Sequence, residues 1–323
     1  MVELSIIILN WNSADFILDA INSIKKSTKQ VSYEIIIVDN ASYDKCKSIL
    51  AEIYPEIIFI QSESNLGFAK GNNLGAIYSS GKLLLFLNPD TIIKGNAIDD
   101  LVRKKEMLDK PGVVGCCLLN TDGSKQLSCV RAFPTLMNEG LDAEVLMKFI
   151  PRSKLWGIAP LLLKRDVDTC VDAVSGACML IDKSVFNLVG GFSEIYFMYS
   201  EDIDLCIKTH NEGYINYYVS APKVIHFGGG STENTKANHF SDIMITESRY
   251  RLFRKFRGEW YADLYRLLVL FTGTLRILIL LLFLAVAGVQ KKRKNYKISK
   301  DKWENKLMWA LGKEKWVINY PDQ

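Results

Sequence analysis

Acidic side chains stand directly at the ends of apolar runs in this chain, where a sheet could present them to a ligand. The run LLLFL, residues 83–87, leads into Asn88, Pro89 and Asp90. A short, continuous apolar run predicts a buried strand, and Pro89 marks its end because proline cannot donate to a ladder. Asp90 is therefore predicted at the carboxyl edge of a central strand, where α/β sheets bind ligands. A carboxylate there can hold a divalent cation and, through it, a diphosphate, although Asn-Pro-Asp is also good turn chemistry.

Three further groups of residues could carry chemistry. Asp39 ends the run YEIIIV, where it can accept hydrogen bonds from a ribose or a uracil-like base, or cap a helix. Glu201, Asp202 and Asp204 fall in the predicted first turn of a helix, a placement that the helix dipole favours in any protein. His226 follows the apolar pair of KVIH and is either a structural histidine or a metal ligand.

The elements that must position these residues alternate between strand and helix. Strands are predicted at 3–9, 33–38 and 56–61, with helices at about 14–27 and up to about 53 between them. This alternation predicts a parallel sheet with right-handed crossovers. Residues 65–75 hold three glycines and three asparagines, so a helix is expected only in their later part, running to about 79. Further elements are expected at 83–87 (strand), 96–109 (helix), 113–119 (strand), 171–186 (strand containing Gly176, then a short helix) and 215–220 (strand).

Composition and missing motifs exclude several classes of protein. The 323 residues are 49% hydrophobic and 24% charged, which allows a sizeable core, and the net charge of +4 does not suggest nucleic acid. Seven scattered cysteines suit a reducing compartment, and three histidines without C-x-x-C argue against structural zinc. The first strand leads into NWNSAD, so neither a dinucleotide-binding glycine motif nor a P-loop follows it. The beginning, MVELSIIIL, is expected to be that strand and not a signal peptide.

Taken in order, these pieces resemble a family-2 glycosyltransferase of the bacterial rhamnosyltransferase-like branch. The resemblance covers about residues 3–257 and implies the GT-A fold, a Rossmann-like α/β fold with a mixed, mostly parallel sheet flanked by helices. One acid of the family's D-x-D metal motif is Asn88 in this chain. The matching segments are Asn10-Trp11-Asn12, Val38-Asp39-Asn40-Ala41-Ser42, Asn65-Leu66-Gly67-Phe68, Gly71-Asn72-Asn73, Asn88-Pro89-Asp90, Gly190-Gly191-Phe192, Glu201-Asp202-Ile203-Asp204 and Ile225-His226.

The resemblance also implies roles for single residues. Asp202 is the expected catalytic base, and Asp90 and His226 are the expected ligands of Mn²⁺ or Mg²⁺. The nucleotide and donor sugar are expected to contact Asn10, Asp39, Asn65, Gly67, Asn72, Asn88 and Gly176. The acceptor side is expected to include Gly191, Phe192, Glu201 and Asp204.

The implied reaction is an inverting transfer of one sugar from a nucleotide-sugar donor to a lipid-diphosphate-linked saccharide. By resemblance the donor is dTDP-L-rhamnose, with a UDP-hexose as the alternative, and the step belongs to surface polysaccharide synthesis at the cytoplasmic face of the membrane. A non-catalytic partner subunit that binds nucleotide or glycan is a second hypothesis. Nucleotidyl transfer is disfavoured because NWNSAD is not a phosphate loop, and a processive synthase is disfavoured because Q-x-x-R-W is absent.

The C-terminal part, residues 241–323, is predicted to be a basic and apolar helical region that associates with an anionic membrane surface, after a catalytic domain at 1–240. Residues 247–260 mix arginines with aromatic residues, as in a solvated helix or a surface for lipid headgroups or diphosphate. Residues 264–289 are apolar apart from two arginines, one of them Arg276, and are followed by the basic residues 291–294. A single crossing would put that cluster outside, so an in-plane or re-entrant helix pair is favoured over a crossing or a buried core helix.

Overall fold

The computed structural model describes residues 2–141, 167–228, 235–286 and 290–317. The sequence of residues 120–168, with its scattered prolines, predicts long loops and short helices of a lid or an acceptor-facing region, and residues 142–166 of that segment lie outside the described residues. Two compact units are distinguished by their internal contacts. We call the first the sheet unit; its described residues are 2–134, 167–194 and 201–228. We call the second the helical unit; its described residues are 135–141, 195–200, 235–286 and 290–317.

The sheet unit contains a nine-stranded mixed sheet in the described part of the chain. The order β3-β2-β1-β4-β10-β6-β11-β5 has β8 alongside β11, and β7 pairs with β9 in a small second sheet. The strands are β1 (Leu4–Asn10), β2 (Tyr33–Asp39), β3 (Ile58–Gln61), β4 (Leu83–Leu87), β5 (Thr91–Lys94), β6 (Pro111–Leu119), β7 (Val130–Arg131), β8 (Thr169–Cys170), β9 (Ala173–Val174), β10 (Cys178–Asp182) and β11 (Ile215–His226).

The helices of the sheet unit connect these strands. They are α1 (Ala14–Ser27), α2 (Cys46–Ile53), α3 (Gly67–Ile77), α4 (Ala97–Glu106), α6 (Lys183–Leu188) and α7 (Glu201–Asn211). The helical unit is built from α5 (Leu136–Leu141), α8 (Thr235–Arg257), α9 (Glu259–Val286) and α10 (Gln290–Ala310).

The direction of the strands brings the predicted site residues to one edge of the sheet. β2, β1 and β4 are mutually parallel, with Asn10 opposite Asp39 in the register. β10 is antiparallel to β4, so its amino end, where Cys178 faces Leu87, lies at the edge where β4 ends. The strands β1, β2 and β4 are almost completely buried, which explains why they are continuous apolar runs.

Three local predictions are corrected by the structure. Gly176 does not lie inside a strand, because β9 ends at Val174 and β10 begins at Cys178. The helix in 65–79 begins early, at Gly67, because the Asn65 side chain accepts a hydrogen bond from the Gly67 amide and Gly67 adopts a φ of 74°. The runs at 215–220 and 223–227 form one strand, β11, whose register shifts between Val219 and Lys223, around a proline that cannot donate to the ladder.

The helical unit has its own apolar core. Arg251 lies at its centre and donates to Glu247 and to the carbonyl oxygens of Ile195 and Val317. The arginines that were considered for lipid headgroups are therefore partly engaged inside this unit. The buried core side chains are Phe197, Ile243, Met244, Phe253, Ala262, Tyr265, Val269, Trp309 and Val317.

The apolar segment 264–286 forms part of one continuous helix, α9, and not a pair of helices. By length and composition α9 is the one helix among the described residues that could cross a membrane, with a mean hydropathy of 2.6 over the most apolar 18-residue window of Glu259–Leu284. The last 30 residues are rich in lysine and tryptophan, which predicts a short interfacial or domain-covering helix, whereas the structure has the 21-residue helix α10 from Gln290 to Ala310.

Candidate active site

Asp39 sits at the buried end of β2 and forms a pair with Asn10 at the end of β1. Asn10 Nδ2 donates to Asp39 Oδ2 at 2.6 Å. Asp39 Oδ1 accepts from the Ser42 amide and from Gln61 Nε2, both at 2.8 Å. A carboxylate oxygen has about two acceptor positions, so these contacts leave one on Oδ2. The geometry allows Asp39 one further hydrogen bond, such as one from a nucleotide base.

Asp44 joins this pair to a neighbouring pocket, and the sequence reasoning missed it. Asn10 Nδ2 lies 3.2 Å from Asp44 Oδ2, which also accepts from the Ala14 amide at the start of α1. Asp44 is the last acid of the DNASYD segment that follows β2, so the segment did contain the signal. The pocket has a volume of about 330 Å³ and is lined by Asn12, Ser13, Ala14, Asp15, Phe16, Asp44, Lys45 and Ile49.

Helix α3 approaches the ends of β1 and β2 closely because its packing face is made of glycine. A Cβ at Gly71 would lie 2.4 Å from Leu9 Cδ1, and one at Gly75 would lie 2.5 Å from Ile7 Cγ2. The Asn72 side chain is buried and donates to the Phe68 carbonyl, so it supports the helix. The predicted contacts of Asn65, Gly67 and Asn72 with a nucleotide stay predictions.

Asn88, Asp90 and His226 converge at the ends of β4 and β11. His226 Nε2 lies 3.4 Å from Asp90 Oδ1 and 3.2 Å from Asn88 Nδ2. His226 pairs in register with Thr91, and the Thr91 hydroxyl donates to the Asn88 carbonyl, so the Asn-Pro-Asp turn is tied to β11. The sequence placed Asp90 and His226 136 residues apart, and strand pairing brings them together.

Gln126 orients the His226 ring and was not predicted. His226 Nδ1 lies 3.0 Å from Gln126 Oε1, and Gln126 Nε2 donates back to the His226 carbonyl at 2.6 Å. With the proton on Nδ1, donated to Gln126, Nε2 presents a lone pair toward Asp90, which is how metal-binding histidines are usually held. No sequence pattern links Gln126 to a histidine 100 residues away.

The residues around Asp90 fit a divalent cation, with few protein ligands. Asp90 Oδ1 and His226 Nε2 are close enough to share one ion, and Gly228 holds the second oxygen of Asp90 through its amide. Within residues 2–141, 167–228, 235–286 and 290–317, no cluster of three or more His, Cys, Asp or Glu side chains could hold a metal. A metal here would therefore need oxygen ligands from a bound substrate.

Asp202 lies in the first turn of α7 with both carboxylate oxygens fixed by the backbone. Oδ2 accepts from the Gly176 amide at 3.1 Å and Oδ1 from the Ile203 amide at 2.8 Å. A Cβ at position 176 would lie 3.4 Å from the Asp202 Cβ, so Gly176 lets the chain pass close to Asp202. The next residue, Ala177, accepts from the Asn88 amide at 3.0 Å. Residues 176 and 177 therefore connect Asp202 directly to the edge that carries Asp90.

Glu201, beside Asp202, is a buried acid in an unfavourable environment. Burial raises the pKa of Glu201 to about 8, the charge of Asp202 acts in the same direction, and Arg131 opposes both. Glu201 Oε2 is buried and has no hydrogen-bond partner among the residues that the structure describes. The raised pKa favours the neutral carboxylic acid form of Glu201.

The residues predicted on the acceptor side are packed or paired. Phe192 is 1% exposed, and its ring contacts those of Phe68, Phe86 and Phe186. Asp204 is fully buried and accepts from the Ser193 hydroxyl at 2.5 Å. These contacts fix the loop that carries Gly191, whose φ is 63°. Direct contact of Gly191, Phe192, Glu201 or Asp204 with an acceptor stays a prediction.

The fold and the order of these site residues define a glycosyltransferase. Residues 5–186 match the family model "Glycosyl transferase family 2", so the chain belongs to that family. Its fold is GT-A, as in a mannosyltransferase from Pyrobaculum calidifontis in complex with GDP-Man and Mn²⁺. The TM-score of that pair is 0.58 at 16% identity, over 97% of this chain and 87% of the other.

Two relatives narrow the comparison to the rhamnosyltransferase-like branch. One is the N-acetylglucosaminyl-diphospho-decaprenol L-rhamnosyltransferase of Mycobacterium tuberculosis, 30% identical over 64% of this chain and 70% of the relative. The other is the rhamnosyltransferase WbbL of Escherichia coli K12, 30% identical over 69% of this chain and 82% of the relative. The predicted family, branch and fold are confirmed.

Proposed function

We propose that this glycosyltransferase moves a single L-rhamnose, with inversion, from dTDP-L-rhamnose to a lipid-diphosphate-linked saccharide that ends in N-acetylglucosamine. The observation that carries the reaction type is Asp202, a carboxylate held by two backbone amides beside the edge of Asp90. The names of both relatives support rhamnose as the transferred sugar, and the name of the Mycobacterium tuberculosis relative supports the acceptor. We also propose residues 1–240 as the catalytic domain and 241–323 as the membrane-associated region, at the cytoplasmic face.

An inverting transfer needs one base and a stabilised leaving group. Asp202 accepts the proton of the acceptor hydroxyl as that oxygen attacks the anomeric carbon. Its two backbone hydrogen bonds leave further acceptor positions on both oxygens and prevent the carboxylate from turning away. Asp39 and Asn10 hold the nucleotide base and ribose at the other end of the donor.

Asp90 and His226 are the proposed ligands of Mn²⁺ or Mg²⁺. Such an ion neutralises the charge that develops on the departing nucleoside diphosphate. The imidazole nitrogen favours Mn²⁺ over Mg²⁺, and the mannosyltransferase from Pyrobaculum calidifontis is in complex with Mn²⁺. Gln126 keeps His226 Nε2 directed toward Asp90, and the Gly228 amide keeps Asp90 in place.

The test is nucleoside diphosphate release from a panel of donors that includes dTDP-L-rhamnose and UDP-hexoses. Each donor is assayed with Mn²⁺ or EDTA, with and without a lipid-diphosphate-linked N-acetylglucosamine acceptor. We expect acceptor-dependent release from dTDP-L-rhamnose that EDTA abolishes and that Asp202→Asn reduces by about 10²-fold or more. Thermal unfolding of Asp202→Asn confirms that the variant is folded.

Other outcomes identify the alternatives. Release from a UDP-hexose alone would replace the donor and keep the reaction. Full release by Asp202→Asn would move the base to Glu201 or Asp204. Nucleotide binding without release from any donor would favour a non-catalytic partner subunit.

A further inference from the structure

The helical unit exposes one continuous apolar face on α9. Its side chains recur every three or four residues and are between 43 and 69% exposed. At 1.5 Å per residue they form a stripe about 27 Å long. Only 11% of the most apolar 18-residue window of α9 is buried, whereas the core helix of a soluble protein would be mostly buried. The members of this face, the α9 stripe, are Leu264, Leu267, Phe271, Leu275, Leu278 and Leu282.

The opposite side of α9 is covered by protein as far as Gly273 and only partly beyond it, where Phe283 is 52% exposed. Ala262, Tyr265 and Val269 are buried in the core of the helical unit. Farther along, α10 lies against α9: a Cβ at Gly273 would be 3.8 Å from the Trp303 ring, and Phe283 stacks on Tyr296 at 5.6 Å. The helix therefore has one protein-facing side and one apolar exposed side.

Arg276, the charge that interrupts the apolar segment, belongs to the covered side. Its guanidinium lies 4.3 Å from the centre of the Trp303 ring of α10. This cation–π contact turns the charge away from the α9 stripe. The stripe can therefore enter an apolar medium without carrying Arg276 into it.

Helix α10 excludes a perpendicular crossing by α9. It runs antiparallel to α9, with Tyr296 beside Phe283 and Trp303 beside Gly273, at the middle of α9. The residues on either side of Trp303 include Lys300, Asp301, Lys302 and Glu304. If α9 crossed a bilayer, these charges would lie near its centre, where charged side chains are strongly disfavoured.

We propose that the α9 stripe lies in the plane of an anionic lipid bilayer, at the boundary between headgroups and acyl chains, with α10 on the side of the headgroups and water. An amphipathic helix of this length suits that position. The sequence adds four consecutive basic residues, 291–294, and a basic cluster next to an apolar helix favours an anionic membrane surface. The proposed function gives this surface its purpose, which is to hold the enzyme beside a lipid-linked acceptor.

The first test is co-sedimentation of the full chain with vesicles of phosphatidylcholine alone or mixed with phosphatidylglycerol. The variant Phe271→Glu with Leu278→Glu removes the middle of the stripe. We expect its affinity for mixed vesicles to be lower than that of the wild type by a factor of about ten or more. The matched control, Met107→Glu with Leu188→Glu, changes two exposed apolar residues of the sheet unit and should bind like the wild type. Equal vesicle binding by both double variants would overturn the proposal.

The second test distinguishes an in-plane helix from a crossing one. In a Cys170→Ser background, which removes the exposed native thiol, Glu259→Cys or Lys291→Cys marks one end of the α9 segment. Protein added to sealed vesicles is treated with a membrane-impermeant maleimide. Labelling of both ends from outside is expected, and protection of either end until detergent is added would overturn the in-plane arrangement.

The proposed function and the proposed membrane surface can be rejected independently of each other. The stripe variant should keep its turnover on a short, water-soluble acceptor analogue while it loses vesicle binding. If no donor is turned over but wild-type vesicle binding persists, the proposed function fails and the membrane surface stands. If the wild type ignores vesicles and the stripe variant converts a dimer to a monomer, the stripe is a contact between two copies and the membrane proposal is wrong.

Discussion

At the scale of single residues, the two adjacent acids of α7 have different environments. Asp202 accepts two backbone hydrogen bonds, whereas Glu201 is buried with one oxygen that lacks a partner within the described residues. Adjacent carboxyl groups repel each other when both are charged, so the pair has a lower free energy when one of them stays protonated. This difference supports Asp202 over Glu201 as the base, which periodicity in the sequence could not decide.

Glu201 is expected to make the stability of the protein depend on pH. Its pKa is raised from 4.5 to about 8 in the folded chain, so between these pH values unfolding releases a proton. The contribution of Glu201 to stability therefore falls as pH rises from about 4.5 to about 8 and no longer changes above that range. In thermal unfolding from pH 5 to 9, Glu201→Gln should lose this slope and melt at a higher temperature than the wild type at pH 8. Glu63→Gln, at an exposed position, is the control, and parallel curves for Glu201→Gln and the wild type would contradict the prediction.

Gln126 is expected to act on metal binding through His226. Gln126→Leu removes the acceptor of the Nδ1 proton, so the ring is free to turn and Nε2 is no longer directed at Asp90. We expect the Mn²⁺ concentration for half-maximal activity to rise about 10–100-fold. Gln126→Glu keeps an acceptor and should restore much of the Mn²⁺ affinity. An unchanged Mn²⁺ dependence in Gln126→Leu would show that the contact does not orient a ligand.

At the scale of elements, the position of α3 depends on Gly71 and Gly75 on its inner face, because residues without side chains allow the helix to approach the sheet closely. Gly75 lies against Ile7 and Val38, both fully buried in β1 and β2. This close approach brings the Asn65–Gly67 turn next to Asn40, whose Nδ2 donates to the Gly67 carbonyl. Glycine lowers helix propensity, and here close packing explains why three glycines stand in a helix of 11 residues.

Gly75→Ala is expected to destabilise the protein although alanine is the better helix former. Its Cβ would lie 2.5 Å from Ile7 Cγ2, a methyl on a stiff β-branched side chain. The overpacking costs about 1–3 kcal/mol, against a gain of about 1 kcal/mol in helix propensity. Chemical denaturation measures the difference. Gly273→Ala in α9, whose nearest neighbour would be 3.8 Å away, should be neutral or stabilising, and a stabilised Gly75→Ala would contradict the packing argument.

At the scale of the whole molecule, Arg251 of α8 stabilises the helical unit through hydrogen bonds within that unit. Arg251 contacts Glu247 and the distant carbonyls of Ile195 and Val317, and Glu247 also accepts from the Trp309 indole at 2.8 Å. Segments far apart in the sequence are thus joined by one partly exposed guanidinium. The basic, aromatic composition of 247–260 reflects this network as well as any surface charge.

Arg251→Ala should destabilise the helical unit strongly. It removes one of the two donors to the buried Glu247 carboxylate and the Arg251 hydrogen bonds to two carbonyl oxygens, a change that costs about 1–3 kcal/mol. Arg254→Ala removes only an exposed pair with Glu259, which solvent screens, so its effect on stability should be small. Hydrogen exchange by mass spectrometry should show faster exchange in α8–α10 for Arg251→Ala and near wild-type exchange in β1, β2 and β4. Similar exchange in the two variants would mean that the network adds little.

The sequence by itself determined the strands that end in Asp39 and Asp90, the acidic first turn of α7, the family and the apolar character of α9. The structural features among these are local: a buried strand or helix leaves an apolar pattern in the sequence, and the polar residue at a strand end directly follows that pattern. Only the tertiary structure decided that Gln126 orients His226, that Asp202 is held by Gly176, and that Arg276 turns onto Trp303. Those contacts join residues that are 26 to 100 positions apart, because strand pairing and helix packing bring together side chains whose separation along the chain leaves no pattern.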